Sequence, residues 1–339
     1  MVGNKNQKKQ IVFLILPTVQ MLDLAGPVQA FDEAIEHGAG YQLRYVAPVE
    51  AITSSQQLTL SDLAHFRAVD LRAGDLLVIP GIHGNMLGTE ELDKLGEHLY
   101  QWLQEAHKNG AKLCTVCNAA FVLAHAGLLD NRSCTTHWKR VDQLKESYPA
   151  IDVLDNRLFV KDGNIYTSAG ITSGIDLALS IIEDDYGPAF TARIAKELVV
   201  YMRRDGTHGQ LSTYLDYRGH LNPGIHNVQD WLANNPDADY SLESLARIAG
   251  MSTRNLTRLF KKVTGITIKV YATRLKLELA ATLMNNPKLT IDTISKECGF
   301  EDARHFRRLW KTTYGVSPSE SRAALSKPNF LHNQSTSVI

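Results

Sequence analysis

Cysteine is scarce in this chain. Four residues in 339 (Cys114, Cys117, Cys134 and Cys298) are too few to frame a protein of this length with disulfides, so reduced thiols and a cytoplasmic setting are expected. No run of eighteen apolar residues occurs, so no membrane-spanning helix is expected and a membrane is not among the expected partners. Lys5, Lys8 and Lys9 ahead of "IVFLILP" imitate a signal peptide, but the apolar run is barely seven residues and no clear A-x-A site follows. The first strand of a buried sheet explains it better. Net charge is also missing: 36 Lys and Arg balance 36 Asp and Glu. That balance is uneven along the chain. Pro223 to Leu325 holds fifteen basic against ten acidic residues, or +5, and the remaining 21 basic and 26 acidic residues leave −5. A basic C-terminal part is the footprint of a polyanion partner.

What is present in that part is one pattern written twice. Leu242, Leu245, Ala246 and Ala249 fall at i, i+3, i+4, i+7 and are followed by Gly250; Leu256, Leu259, Phe260 and Val263 repeat the spacing and end at Gly265. Ile291, Ile294, Ser295 and Cys298, then Gly299, restate the first set. Phe306, Leu309, Trp310 and Thr313, then Gly315, restate the second. Each half predicts two short amphipathic helices around a glycine-containing turn, a helix-turn-helix whose second helix can enter a major groove. The polar face of the first such helix carries Thr253, Arg254, Asn255, Thr257, Arg258, Lys261 and Lys262. That of the second carries Ala303, Arg304, Arg307, Arg308 and Lys311. Arginine and asparagine make bidentate contacts with base edges, and arginine and lysine neutralise phosphates. One basic face alone is more simply a solvated surface. Two behind matched supporting helices predict double-stranded DNA as partner.

"SLESLARIAGMSTRNLTRLFKKVTG" and "LTIDTISKECGFEDARHFRRLWKTTYGVSPSESR" resemble the two halves of an AraC/XylS-type DNA-binding domain. The resemblance implies that the helix from about Thr267 to Met284 is a rigid spacer between the two recognition helices. At ~18 residues and ~1.5 Å each it spans ~27 Å, the scale of successive major grooves. Ser321 departs from the family, which usually has an aromatic before the arginine, so a loosely packed last turn is expected.

From Gln10 to about Met202 apolar strands alternate with amphipathic helices. "IVFLIL", "YQLRYVA", "LLVIPG" and "AKLCTVC" read as strands. Leu22 to Ile35, Glu90 to His107, Ala119 to Ala126, Ile175 to Asp184 and Phe190 to Tyr201 read as helices, and "RLFVKDGNIYTSAG" reads as a hairpin around Asp162-Gly163. Short continuous Val/Ile/Leu runs between helices predict a mostly parallel sheet covered on both faces. The fold class expected is therefore an α/β N-terminal domain (a flavodoxin-like parallel sheet sandwich) plus an all-α C-terminal domain with two helix-turn-helix motifs. The boundaries expected are residues 10–203, a glycine-rich polar linker at 204–223, and the DNA-binding domain at 224–325. A polar tail follows Ser326.

"LCTVCNAAFVLAHAGLL" places Cys117 where an apolar strand turns into a helix, the place where ligands gather in open α/β sheets. A helix N-terminus there favours a thiolate. Cys114 and Cys134 read as buried structural thiols. A redox or zinc reading of Cys114 and Cys117 is disfavoured, because a strand turns them to opposite faces and no second ligand pair appears; neither metal nor cofactor is expected.

Residues 10–202 resemble the ThiJ/PfpI (class I glutamine amidotransferase-like) fold, through "LDLAGP", "VIPG", the Cys117 elbow, "CTTHW" and "YTSAGITSGIDLALSII". The resemblance implies that Cys117 matches the elbow nucleophile, Asp23 the acid facing it, His137 a histidine near the pocket, and Gly81 the loop of an oxyanion donor. Two departures stand out. Asn118 follows the cysteine where histidine or glycine is common, and Ile82 replaces the second glycine of a "PGG" loop, where its bulk is expected to displace the oxyanion site. The expected ligand-binding set is Asp23, Gly81, Ile82, Cys117, Asn118, His137, Gly170 and Ile171, with Cys117, Asp23 and His137 as vestigial catalytic candidates and no catalysis expected.

Joined in this order, the two halves resemble the GlxA-type branch of AraC regulators. That implies a homodimer through the N-terminal domain and an effector that is a small metabolite such as an amine or amino-acid derivative; RNA polymerase is a candidate partner. The alternatives are a cysteine-dependent hydrolase or hydratase, or a redox sensor, carrying a DNA-binding module.

Overall fold

The computed structural model describes residues 8–200, 206, 213 and 217–326, apart from 156, 285 and 287. The chain divides into two compact units, Met1–Gln210 and Leu211–Ile339. The proposed linker at 204–223 falls largely outside the described residues, as does the tail after Ser326.

In the first unit the strands are β1 (Lys9–Leu14), β2 (Tyr41–Ala47), β3 (Ile52–Thr53), β4 (Thr59–Leu60), β5 (Ala64–His65), β6 (Leu76–Ile79), β7 (Lys112–Val116), β8 (Ser133–Cys134), β9 (Asp152–Val153), β10 (Phe159–Asp162) and β11 (Ile165–Ser168). Seven of them form one sheet in the order β10-β11-β7-β6-β1-β2-β5. All pairings in it are parallel except β10 with β11, the hairpin whose Asp162 and Ile165 face each other across the turn. The helices are α1 (Met21–Glu36), α2 (Thr89–Asp93), α3 (Glu97–Lys108), α4 (Ala120–His125), α5 (Val141–Ser147), α6 (Thr172–Tyr186) and α7 (Pro188–Glu197). Alternate residues of β1 enter two separate cores: Val12 and Leu14 meet Leu99, Leu103 and Phe121 on one side, and Ile11 and Phe13 meet Phe31, Leu177 and Ile181 on the other. A sheet buried on both faces requires the continuous apolar strands seen in the sequence.

The single helix expected over Glu90 to His107 is two, broken at Gly96, whose φ of 89° the helix cannot contain. Strands β3, β4, β5, β8 and β9 were not expected. Each is two residues long, too short to carry an alternation.

The second unit is helical: α8 (Pro223–Asn234), α9 (Leu242–Ile248), α10 (Thr253–Thr264), α11 (Ile268–Leu283), α12 (Ile291–Glu297), α13 (Ala303–Tyr314) and α14 (Pro318–Ser326). Side-chain caps set the starts. Ser241, Ser252, Thr267, Thr290 and Asp302 each accept a backbone N–H from the first turn that follows. Gly250 and Gly299 take φ of 65° and 68° in the two corresponding turns, a left-handed geometry that closes both helix-turn-helix motifs in the same way. The unit has two cores. Leu245, Leu256, Phe260, Tyr271 and Leu275 form one, and Leu277, Ile294, Cys298, Phe306 and Trp310 the other, so the spacer α11 belongs to both. Its 16 residues correspond to about 24 Å of axis.

Three expectations are corrected. Leu242 is 39% exposed, because a first-turn side chain lies ahead of the core that the later turns cover. Thr313 is exposed, and the half-buried Tyr314 takes the inner side of the last turn, its ring tilted against Trp310 with centroids 4.4 Å apart. Ser321 does not leave a loose end: its hydroxyl accepts the Trp310 indole N–H at 3.0 Å.

Candidate functional site

Strand β7 ends at Val116, and Cys117 follows with φ of 60°, the strained turn that lifts a side chain clear of the sheet. The residue is nonetheless only 9% exposed. Asp23, from the first turn of α1, faces it and is fully buried. Asp23 Oδ1 accepts the backbone N–H of Ile171 at 2.8 Å, while Oδ2 has no hydrogen-bond partner among the described residues. Gly170 and Gly81 stand against this pair. A Cβ on Gly170 (φ 108°) would lie 2.7 Å from Cys117 Sγ, and one on Gly81 would strike the Asp23 carboxylate and come within 2.9 Å of Cys117 Cβ. Both glycines are therefore walls behind the pair, whereas the sequence reading counts them among the groups that touch ligand.

Burial pushes the Asp23 carboxyl up from 3.8 to about 6, against the Ile171 N–H and the Cys117 thiol, which favour its charge. Burial also raises the Cys117 thiol, and the Asp23 charge raises it further; the Asn118 N–H and the Arg140 charge oppose them without prevailing. The thiolate expected from the strand-to-helix position is not favoured. The segment after Cys117 is a 3-10 turn (Cys117–Ala119) and then a six-residue helix, too short a dipole to overcome desolvation.

Asn118 closes the other half of the site. Its Oδ1 accepts the Ile82 N–H at 2.9 Å and its Nδ2 donates to the Ile82 carbonyl at 2.7 Å. Ile82 is 1% exposed and bridges Val19, so its side chain is turned into the core. Apart from the bulk expected of Ile82 in this loop, its backbone N–H next to Gly81 is already taken by Asn118. His137 accepts the Lys139 N–H at 3.3 Å and caps its own turn, and burial, with the Lys139 and Arg140 charges, lowers its pKa.

These groups border a cavity of about 470 Å³. Asp23, Ile82, Cys117, Asn118, His137 and Ile171 line it together with Gln20, Met21, Leu22, Gln56, Gly84, Lys139 and Arg140, which sequence reasoning missed. Lys139 and Arg140 had a signal, since they lie two and three residues after His137 in "THWKR". Among the described residues no group of three or more His, Cys, Asp or Glu is placed to hold a metal.

In the second unit Arg254, Thr257, Arg258, Lys261 and Lys262 are exposed on α10, and Arg304, Arg307, Arg308 and Lys311 on α13; Thr253, Asn255 and Ala303 are half-buried at the helix starts. Their settings differ. Thr257 Oγ1 donates to backbone carbonyls of its own helix, and Arg258 is held by Asn255 Oδ1 at 3.0 Å. Arg307 pairs with Asp292 of the supporting helix at 2.6 Å, and Arg308 meets His305, a residue absent from the sequence reading, at 3.0 Å. Leu242, Arg254, Thr257, Arg258 and Lys261 also border a groove shared with Thr267, Ile268 and Lys269 at the start of α11.

Comparison with known proteins agrees with both units. Residues 9–184 match the DJ-1/PfpI family and residues 245–324 match a helix-turn-helix domain. The HTH-type transcriptional regulator CdhR of Pseudomonas aeruginosa is 32% identical over 256 residues, 75% of this chain and 74% of the relative. The HTH-type transcriptional regulator GlxA of Rhizobium meliloti is 28% identical over 220 residues, 65% of this chain and 68% of that one. An isonitrile hydratase of Pseudomonas putida is 34% identical over 178 residues, 52% of this chain and 72% of the relative. An α/β pocket domain with a double helix-turn-helix defines a DNA-binding transcription regulator. The chain belongs to the DJ-1/PfpI family, in the branch that carries an AraC-type C-terminal domain. Among the described residues, no helix is long and apolar enough to cross a membrane.

Proposed function

We propose that the chain is a cytoplasmic, homodimeric regulator in which a small metabolite occupies the cavity beside Cys117 and Asp23, and α10 and α13 read an operator in double-stranded DNA. Residues 10–203 form the sensing and dimerising domain and residues 224–325 the reading domain in this proposal, with RNA polymerase as a further partner. The observation that carries the sensing role is the Asn118 clamp on Ile82. A cavity that retains the acid and the thiol but has its oxyanion donor occupied is suited to hold a ligand and unsuited to stabilise a tetrahedral intermediate.

The expected DNA contacts divide by their settings. Arg254 reads a base: Arg254→Ala should weaken operator binding by about 1–3 kcal/mol and relax specificity at one position. Lys262 contacts phosphate, and Lys262→Ala should weaken all sequences alike and reduce the salt dependence. Gel-shift titrations of operator and scrambled duplexes at several salt concentrations check both. Unchanged discrimination in the Arg254 variant would remove the base-reading role.

The isonitrile hydratase relative motivates a second reading, turnover at Cys117. Under the sensing proposal Cys117→Ser keeps folding and basal DNA binding and alters only the ligand response. Wild-type protein given small isonitriles, esters, amides or aldehydes should show no turnover above background. Cys117-dependent turnover on the order of 1 per second, in the range of working enzymes, would make the chain bifunctional.

A further inference from the structure

The charges bordering the cavity are unbalanced. Among the described residues that line it, Lys139 and Arg140 carry positive charge and the one carboxyl, Asp23, is fully buried with one oxygen already bonded to the Ile171 N–H. Arg140 is held in place. It donates from Nη1 to Gln143 Oε1 at 3.0 Å, and its other terminal nitrogen rests against Gly84, where a Cβ would collide with it. A guanidinium fixed in this way retains N–H groups for a ligand and loses little freedom on binding. Lys139 stands over the Trp138 ring with its ammonium 5.2 Å from the centroid. Among the described residues no Trp, Tyr or Phe lines the cavity, so they form no aromatic cage that would hold an alkylammonium group. Leu22 and Ile171 line it while 52% and 44% exposed, an apolar surface suited to a hydrocarbon body.

We propose that the ligand of this cavity is a small organic carboxylate, bound through Arg140 and Lys139 with its hydrocarbon part against Leu22 and Ile171, rather than an amine. This rests on the reading of the cavity as the effector site and narrows it to one chemical class. Arginine pairs with a carboxylate through two parallel hydrogen bonds, and a low-dielectric wall strengthens the attraction. An amine would meet the Lys139 and Arg140 charges and, among the described residues, only the buried Asp23 carboxyl to offset them.

The test is calorimetric titration of the full-length protein with straight-chain carboxylates of four to eight carbons. Each is paired with its primary amide and with the amine of equal length, and inorganic phosphate serves as a control. Carboxylates should bind at least tenfold more tightly than the amides, with amines and phosphate weaker still. Arg140→Met should weaken carboxylate binding at least tenfold with amide binding unchanged. Lys139→Met, at an exposed position, should weaken it to a smaller degree, and it keeps the test open if the Arg140 variant does not fold. Tighter binding of amines or amides, equal binding of phosphate, or indifference to both substitutions overturns the carboxylate assignment and leaves the effector site standing. Absence of binding by every compound overturns both.

Discussion

Phe260→Ala is expected to lower the stability of the helical unit by about 3–5 kcal/mol, the usual range for deleting a fully buried phenyl ring. Phe260 is completely buried under the first recognition helix, edge-on to Tyr271 with centroids 5.5 Å apart, and it joins α10 to the spacer α11. Leu259, its neighbour on the same stripe, is only half-buried, so Leu259→Ala should have the smaller effect. Trp310→Ala should approach the Phe260 value, since that indole is 3% exposed and also loses its bond to Ser321. Differential scanning calorimetry of the full chain should show the helical unit melting earlier while the α/β unit keeps its transition. Phe260→Ala should also abolish operator binding near the new midpoint, because the recognition helix is positioned by that core. A Phe260 variant that melts like wild type would show that the apolar stripe of α10 does not hold the unit together.

The double helix-turn-helix was legible because several local signals coincide in it: a helical apolar period, a glycine at each turn, and a basic polar face on each second helix. Where only the period is available the reading fails, as at Leu242 and Thr313, which sit in first and last turns beyond the covering helices. The α/β unit follows the same logic. Strands buried on both faces announce themselves as apolar runs, whereas two-residue strands such as β3 and β8 carry no pattern. In the cavity, Cys117 and Asp23 are legible by resemblance, but their protonation is not. It depends on desolvation, a property of the surrounding fold that outweighs the local helix dipole. The Asn118 carboxamide on Ile82 is also invisible in the sequence, since the partners are 36 residues apart and the contact is made by a side chain. Arg140 enters the cavity by the reach of a long side chain, which spacing alone does not encode.

Asp23→Asn is expected to stabilise the α/β unit by about 3 kcal/mol at pH 7, as the distance between 3.8 and about 6 implies at about 1.4 kcal/mol per unit. The sign follows from proton counting. Between pH 4 and 6 the folded wild type keeps the proton on Asp23 while the unfolded chain has released it, so folding binds a proton and stability falls as pH rises. The contribution of the protonated carboxyl is fully present below pH 4, is lost as pH rises through 6, and stays lost above it. Asparagine has the same shape, can still accept the Ile171 N–H through Oδ1, and never charges, so the variant keeps its stability across the window. Subtracting the two urea-denaturation profiles from pH 4 to 8 cancels the other titrating groups. The difference should open between pH 4 and 6 and then level off. Parallel profiles with equal stability at pH 7 would show that Asp23 titrates as an ordinary exposed carboxylate, and that the fold does not keep its proton up to about pH 6.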